Sequence, residues 1–238
     1  MNRNRILFST VLFFSLACAK TAFAGPLEDA KALLAAGKPG EVDAKLGALL
    51  EAASPSRDVL LVSFDAALAA GKPYTAERRA IAILDSPGEP PAKLLADAAD
   101  VAGLLGKDSI RRDRLMYLVK VEKNATPLAK KALASLLWEG ADAELFARYV
   151  KQFGKDADSF ELGMRNLAKL RETRKADEYV KQVDVLLSNW NGSAELEAVF
   201  ADMSSAIRAV SGLSRDSLSD VIIKNEVVDA SFLYKWTH

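Results

Sequence analysis

AALAAGKPYTAERRAIAILDSP, residues 66–87, reads as one helical hairpin. Ala66 to Ala70 closes an apolar run, Gly71-Lys72-Pro73 makes a tight turn, and Ala76, Ala80, Ile83 and Leu84 recur at helical spacing. Ser86-Pro87 then breaks the chain, because proline lacks an amide proton and its predecessor avoids helical angles. A glycine turn of this kind recurs at Gly37, Gly71, Gly106 and Gly140, at separations of 34, 35 and 34 residues. A fixed period of that length predicts stacked hairpins.

The neighbouring hairpins repeat the register. Val42, Leu46, Leu49 and Leu50 stand at +5, +9, +12 and +13 from Gly37, the same offsets at which the four apolar residues follow Gly71. Leu115, Leu118 and Val119 follow Gly106 at +9, +12 and +13. Arg111 interrupts the +5 position, and a register slip that buries Ile110 in its place is expected. Ser56 is expected to cap the second unit, and Thr126-Pro127 opens the fourth as a cap and first-turn proline. Its return face is Leu145, Tyr149 and Phe153. The fifth unit is expected to start on Asp158 and Glu161 as a capping-box pair, to turn near Arg174 without a glycine, and to return through Tyr179, Val183, Leu186 and Leu187. Ser193 to Val210 and Ser214 to Ile223 read as a degenerate sixth pair. The expected fold is all-α, a right-handed α-solenoid of about five to six antiparallel helix pairs over residues 25–212. Residues 213–238 then form a C-terminal segment that caps the array or binds a partner, with a helix packed over the last unit the preferred reading of its apolar end.

Residues 1–24 are set aside from the fold. Arg3 and Arg5 precede an almost unbroken apolar run from Ile6 to Ala19, and Ala22-Phe23-Ala24 is a small-x-small site. This is the pattern of a secretory signal peptide, cleaved after Ala24, and the run is short for a bilayer span. The expected location is periplasmic or extracellular, with no transmembrane segment after cleavage; lipid attachment at Cys18 is a minor alternative. Cleavage would remove Arg3, Arg5, Lys20 and the only cysteine, Cys18, leaving a net charge of −3 and no possible disulfide within the chain.

That composition narrows the chemistry. The whole chain has 32 basic and 32 acidic residues, so it lacks the positive field that gathers nucleic acid. One histidine, His238, and no cysteine beyond Cys18 leave no nucleophile–base pair, metal-ligand spacing or phosphate loop. No catalytic, cofactor-binding or metal-binding residue is assigned. Asp97 and Asp100, one helical turn apart, read as structural, as do Arg111-Arg112-Asp113-Arg114 (a solvated helix face), Trp138 and Trp190.

The period, the glycine-centred inner turn, the small or aliphatic residue five places on and the proline in the outer loop make residues 26–189 similar to the tetratricopeptide repeat family, or a related helical-repeat class of like period. The family's tryptophan, glycine and tyrosine of the first helix are not at their usual places. The resemblance implies a curved superhelix whose first helices line a concave surface. In the family register, Lys31, Asp65, Lys93, Asp100, Lys130, Trp138, Met164 and Arg171 would fall on it. That mixed-charge lining suits an extended peptide or a partner helix. Two functions of different class follow: an exported scaffold or adaptor with no enzymatic activity, or a helical accessory domain of a cell-envelope enzyme such as a carboxylate-based cell-wall glycosidase.

Overall fold

The structure, a computed structural model, describes residues 25–227, which form twelve α-helices. The readings of a signal peptide in 1–24 and of a helix over 228–238 lie outside the described residues. The chain divides into two compact units, one ending at Ala70 and the other beginning at Gly71.

The first unit contains α1 (Pro26–Ala35), α2 (Pro39–Leu50) and α3 (Arg57–Ala69). Each packs on the other two. Ala30, Val42, Leu46, Val59, Val62 and Ala66 form its buried core, with Leu33, Leu34, Leu49 and Leu50 packed against it. The helix starts follow the sequence: Pro26 and Pro39 occupy first-turn positions, and the Ser56 hydroxyl accepts from the Val59 amide at 3.4 Å. Ser63 is fully buried and donates to Asp43 Oδ1 at 2.6 Å, which joins α3 to α2.

The second unit contains α4 (Pro73–Leu84), α5 (Ala92–Leu104), α6 (Asp108–Val121), α7 (Pro127–Glu139), α8 (Ala143–Phe153), α9 (Ala157–Glu172), α10 (Ala176–Asn189), α11 (Ser193–Ala209) and α12 (Arg215–Lys224). Helices adjacent in sequence pack together from α4 to α11, and α12 packs on α10. The odd-numbered helices also touch in a row, α5 on α7, α7 on α9, α9 on α11. This is the neighbour-to-neighbour stacking of an α-solenoid, and one continuous apolar cluster runs through it from Leu95 to Ile222. The two helices expected of a degenerate sixth pair are present as α11 and α12; α12 lies on α10, and its Leu218, Val221 and Ile222 complete that cluster.

The turns explain the period. Gly37, Gly71 and Gly106 take φ of 71°, 64° and 68°, in the left-handed region that costs a glycine little. At Gly37 and Gly106 the next amide reaches back to a carbonyl five residues earlier, Lys38 to Leu33 at 2.9 Å and Lys107 to Ala102 at 2.8 Å. Arg174, with φ 57°, makes the same closure without glycine, Lys175 bonding Leu170 at 3.1 Å. Gly140 is the exception among the four: its φ is −142°, extended backbone, and the Arg112 guanidinium passes over it, 2.8 Å from where a Cβ would sit.

Three expectations are corrected. No register slip occurs at the third return helix: Ile110 is exposed, and Arg111 keeps the +5 position because Gly103 leaves room for its stem, 2.9 Å from a hypothetical Cβ. The three arginines 111, 112 and 114 do not make one solvated face, since Arg111 pairs with Glu139 and Arg114 is buried. The cap of α9 is Asp156, whose carboxylate accepts from the Ser159 amide at 2.7 Å, and not the Asp158–Glu161 pair.

Buried polar groups tie successive pairs. Arg114 donates from Nη1 and Nη2 to Glu77 at 2.7 and 3.2 Å and from Nη1 to the Ala98 carbonyl at 2.7 Å; Lys107 adds a bond to Glu77 at 3.2 Å. Burial pushes the Glu77 carboxyl up, but the hydrogen bonds from Arg114 and Lys107 outweigh it and hold it below the ordinary carboxylate range. The ionised form therefore contributes stability that is complete above the unfolded pKa and is lost as pH falls through the lower folded one. We expect Glu77→Gln to cost about 3 kcal/mol at pH 7, as removing one partner of a buried pair does. In urea titrations its deficit against the wild type should shrink as pH is lowered from 5 towards 2; a constant deficit would contradict the assignment. At the glycine-free turn, Arg174→Gly should raise stability by about 0.5–1 kcal/mol by relieving the left-handed backbone, read from the shift of the denaturation midpoint at unchanged slope.

Candidate binding groove

Between α7 and α9 lies an open groove of about 510 Å³, lined by Ala134, Ser135, Trp138, Glu139, Asp158, Glu161 and Leu162, with Arg111 from α6 and Tyr149 from α8. Trp138 sits in the last turn of α7 with its side chain 55% exposed, unusual for so large an apolar surface. The Arg165 guanidinium lies over its ring, 3.2 Å from the centroid, a cation–π arrangement. Two other α9 side chains fix the end of α7. Lys169 donates to the Glu139 carbonyl at 2.5 Å, and buried Asn166 brackets Asp142, accepting from its amide at 3.0 Å and donating to its carbonyl at 3.2 Å. Asn166 is held in turn by Gln182 at 2.8 Å, and Gln182 donates to the Gly163 carbonyl at 3.0 Å. Gly163 lets this region close up, since a Cβ there would lie 2.4 Å from Phe146 and 2.8 Å from Leu186.

Tyr149 also lines the groove, buried by its neighbours and with its ring tilted 55° to that of Phe153 at 5.3 Å. Burial pushes its phenol up, and the Lys130 ammonium, 6.0 Å from the ring centroid, opposes that. On the floor, Glu139 is paired with Arg111. Asp158 and Glu161 are exposed, cap nothing, and have no ion-pair partner among the described residues.

Of the eight residues expected on the inner face, Trp138 lines this groove and Lys130 stands at its edge over Tyr149. Lys93 is held by Asp97 at 2.5 Å, and Asp100 by Lys131 of α7 at 2.7 Å, so Asp97 and Asp100 each answer to a separate lysine. Met164 is half-buried against the core. Arg171 pairs with Asp202 at 2.9 Å, and Asp202 also accepts from the buried Tyr179 hydroxyl at 2.7 Å, so Arg171 joins α9 to α11. Lys31 and Asp65 belong to the first unit, Lys31 exposed and paired with Glu28 at 2.8 Å, Asp65 half-buried.

Comparison with family models, with curated proteins and with solved structures finds no match. The site is therefore read from its own geometry.

Sequence reasoning missed Asp158, Glu161, Arg165, Ser135 and Tyr149 as groove residues. Arg165 is next to Met164 in sequence but about 100° round the helix, so a register that selects Met164 passes over it; the two acids read as a cap that Asp156 makes. Among the described residues no group of histidine, cysteine and carboxylate side chains could hold a metal ion, and no helix is long and apolar enough to cross a membrane. Because Asp156 caps α9 and its neighbours do not, Asp156→Ala should lower Tm by about 3 °C, whereas Asp158→Asn and Glu161→Gln should leave Tm within about 1 °C of wild type. Thermal melts of the three variants check this.

Proposed function

We propose that the protein is an exported adaptor of the tetratricopeptide-like kind, without enzymatic activity of its own, that holds a protein or peptide partner in the groove between α7 and α9. The observation that carries the reading is the exposed Trp138 ring set in a groove of the size that encloses a few side chains of a ligand. Supporting it, Leu104 stands two residues before Gly106 as Trp138 stands two before Gly140, and Leu104 is 79% exposed at the end of α5, the helix beside α7. Large apolar side chains at one repeat position on adjoining helices offer successive anchors to an extended chain.

The rigidity of the groove favours binding as well. Arg165, Asn166 and Lys169 hold the end of α7 from α9, so little ordering remains to oppose association. The amino-terminal pattern Arg3, Arg5, Ile6 to Ala19 and Ala22-Phe23-Ala24 supports export and, with it, a partner in the periplasm or outside the cell.

Site-specific photo-crosslinking in the native cell tests the reading. A benzoylphenylalanine at Ser135, in the groove, should give a discrete heavier adduct, and Trp138→Ala in the same chain should reduce that adduct by about tenfold or more. The same probe at Tyr74, which is 76% exposed on α4, serves as the surface control. Equal adduct patterns from positions 135 and 74, or an adduct indifferent to Trp138, would overturn the assignment.

A further inference from the structure

The chemistry of the groove selects among partner segments, an inference that rests on the binding role just proposed. Three carboxylates line it, Glu139, Asp158 and Glu161, against one lining cation, Arg111, which is bound to Glu139. Two negative charges, those of Asp158 and Glu161, thus face the groove without a counter-ion among the described residues. The side-chain cap of α9 is supplied by Asp156, so neither of them serves as the cap. The two flanking cations are each placed on an aromatic ring, Arg165 on Trp138 and Lys130 over Tyr149. The groove that Asp158 and Glu161 line also has the apolar surface of Ala134 and Leu162.

We propose that the groove takes a partner segment bearing a lysine or arginine next to an aliphatic side chain. The cation sits between Asp158 and Glu161, and the aliphatic group packs on Leu162 and Ala134 beside the Trp138 ring. A neutral segment would desolvate two carboxylates with nothing to offset the loss, and an acidic one would add repulsion. A basic segment removes both costs, and its attraction weakens with salt.

The test is a display library of random nonapeptides panned on the full chain and, in parallel, on the Asp158→Asn/Glu161→Gln double variant. Wild type should enrich peptides with Lys or Arg adjacent to Leu, Ile, Val or Met, and the double variant should lose that bias. The strongest wild-type peptide, made synthetically, should bind the double variant about tenfold more weakly, with Tm and circular dichroism unchanged. Peptides without basic bias, acidic peptides, or a basic peptide bound equally by both proteins would overturn this inference while leaving the groove intact, provided Trp138→Ala abolishes their binding. Enrichment of nothing, or of peptides indifferent to Trp138→Ala, would overturn the groove itself.

Discussion

A two-helix hairpin has an apolar face that it cannot hide by itself, and this constraint shapes the chain. The cost of leaving Ala76, Ala80 and Ile83, or Leu115, Leu118 and Val119, in water is relieved only when another hairpin lies against them. All six are buried, and in the second unit the result is one apolar cluster passing without interruption through eight helices, α5 to α12. Small residues set how close the helices come. Ala98, Ala99 and Ala102 are fully buried along α5, and Gly163 brings α9 onto Phe146 and Leu186 where even a methyl group would collide. Close approach lets dispersion contacts accumulate in a chain that has no cross-link beyond its packing.

Apolar faces slide past each other easily, so register needs something directional. The buried polar groups provide it. Glu77 accepts from Arg114 and Lys107 of the next pair, Asn166 and Gln182 join α9 and α10 to the loop before α8, and Tyr179 meets Asp202 and Arg171 across three helices. Each bond joins groups far apart in sequence that can meet in only one alignment. Exposed pairs such as Lys31–Glu28 and Lys181–Glu178 lie on single helices and fix no alignment between them.

The repeating architecture was legible because its causes are local. Helical spacing of apolar residues, prolines in first turns and left-handed glycines at Gly37, Gly71 and Gly106 act over a few residues and leave their mark in the sequence. What was missed depends on residues distant in sequence. Arg111 stands at an apolar position only because Gly103 on the preceding helix makes space for it and Glu139 on the following one neutralises it. Gly140 resembles a turn glycine in sequence but has extended backbone, with the Arg112 guanidinium lying over it. Trp138, which the register put on the inner face and its place at a helix end read as packing, lines the groove, whereas Trp190 packs on Phe146 and Phe160. The environments of the two tryptophans differ because of what faces them, Arg165 for one and aromatic rings for the other.

Why a groove opens between α7 and α9, when the same repeat brings α5 against α7, follows from the side chains at the seam. At the α5–α7 seam a pocket of only about 10 Å³ is lined by Ala96, Ala132 and Leu128 with Leu115 and Leu118 of α6, and Lys131 bridges to Asp100. Between α7 and α9 the large Trp138 and Tyr149 side chains line the opening, and Asp158 and Glu161 of α9 form no ion pair among the described residues. The two carboxylates, one helical turn apart on α9, have no lysine opposite as Asp100 has Lys131, while Arg165 and Lys169 join the same two helices farther along. The backbone repeat fixes where such seams fall, and the charge and bulk of a few side chains decide which of them stays open.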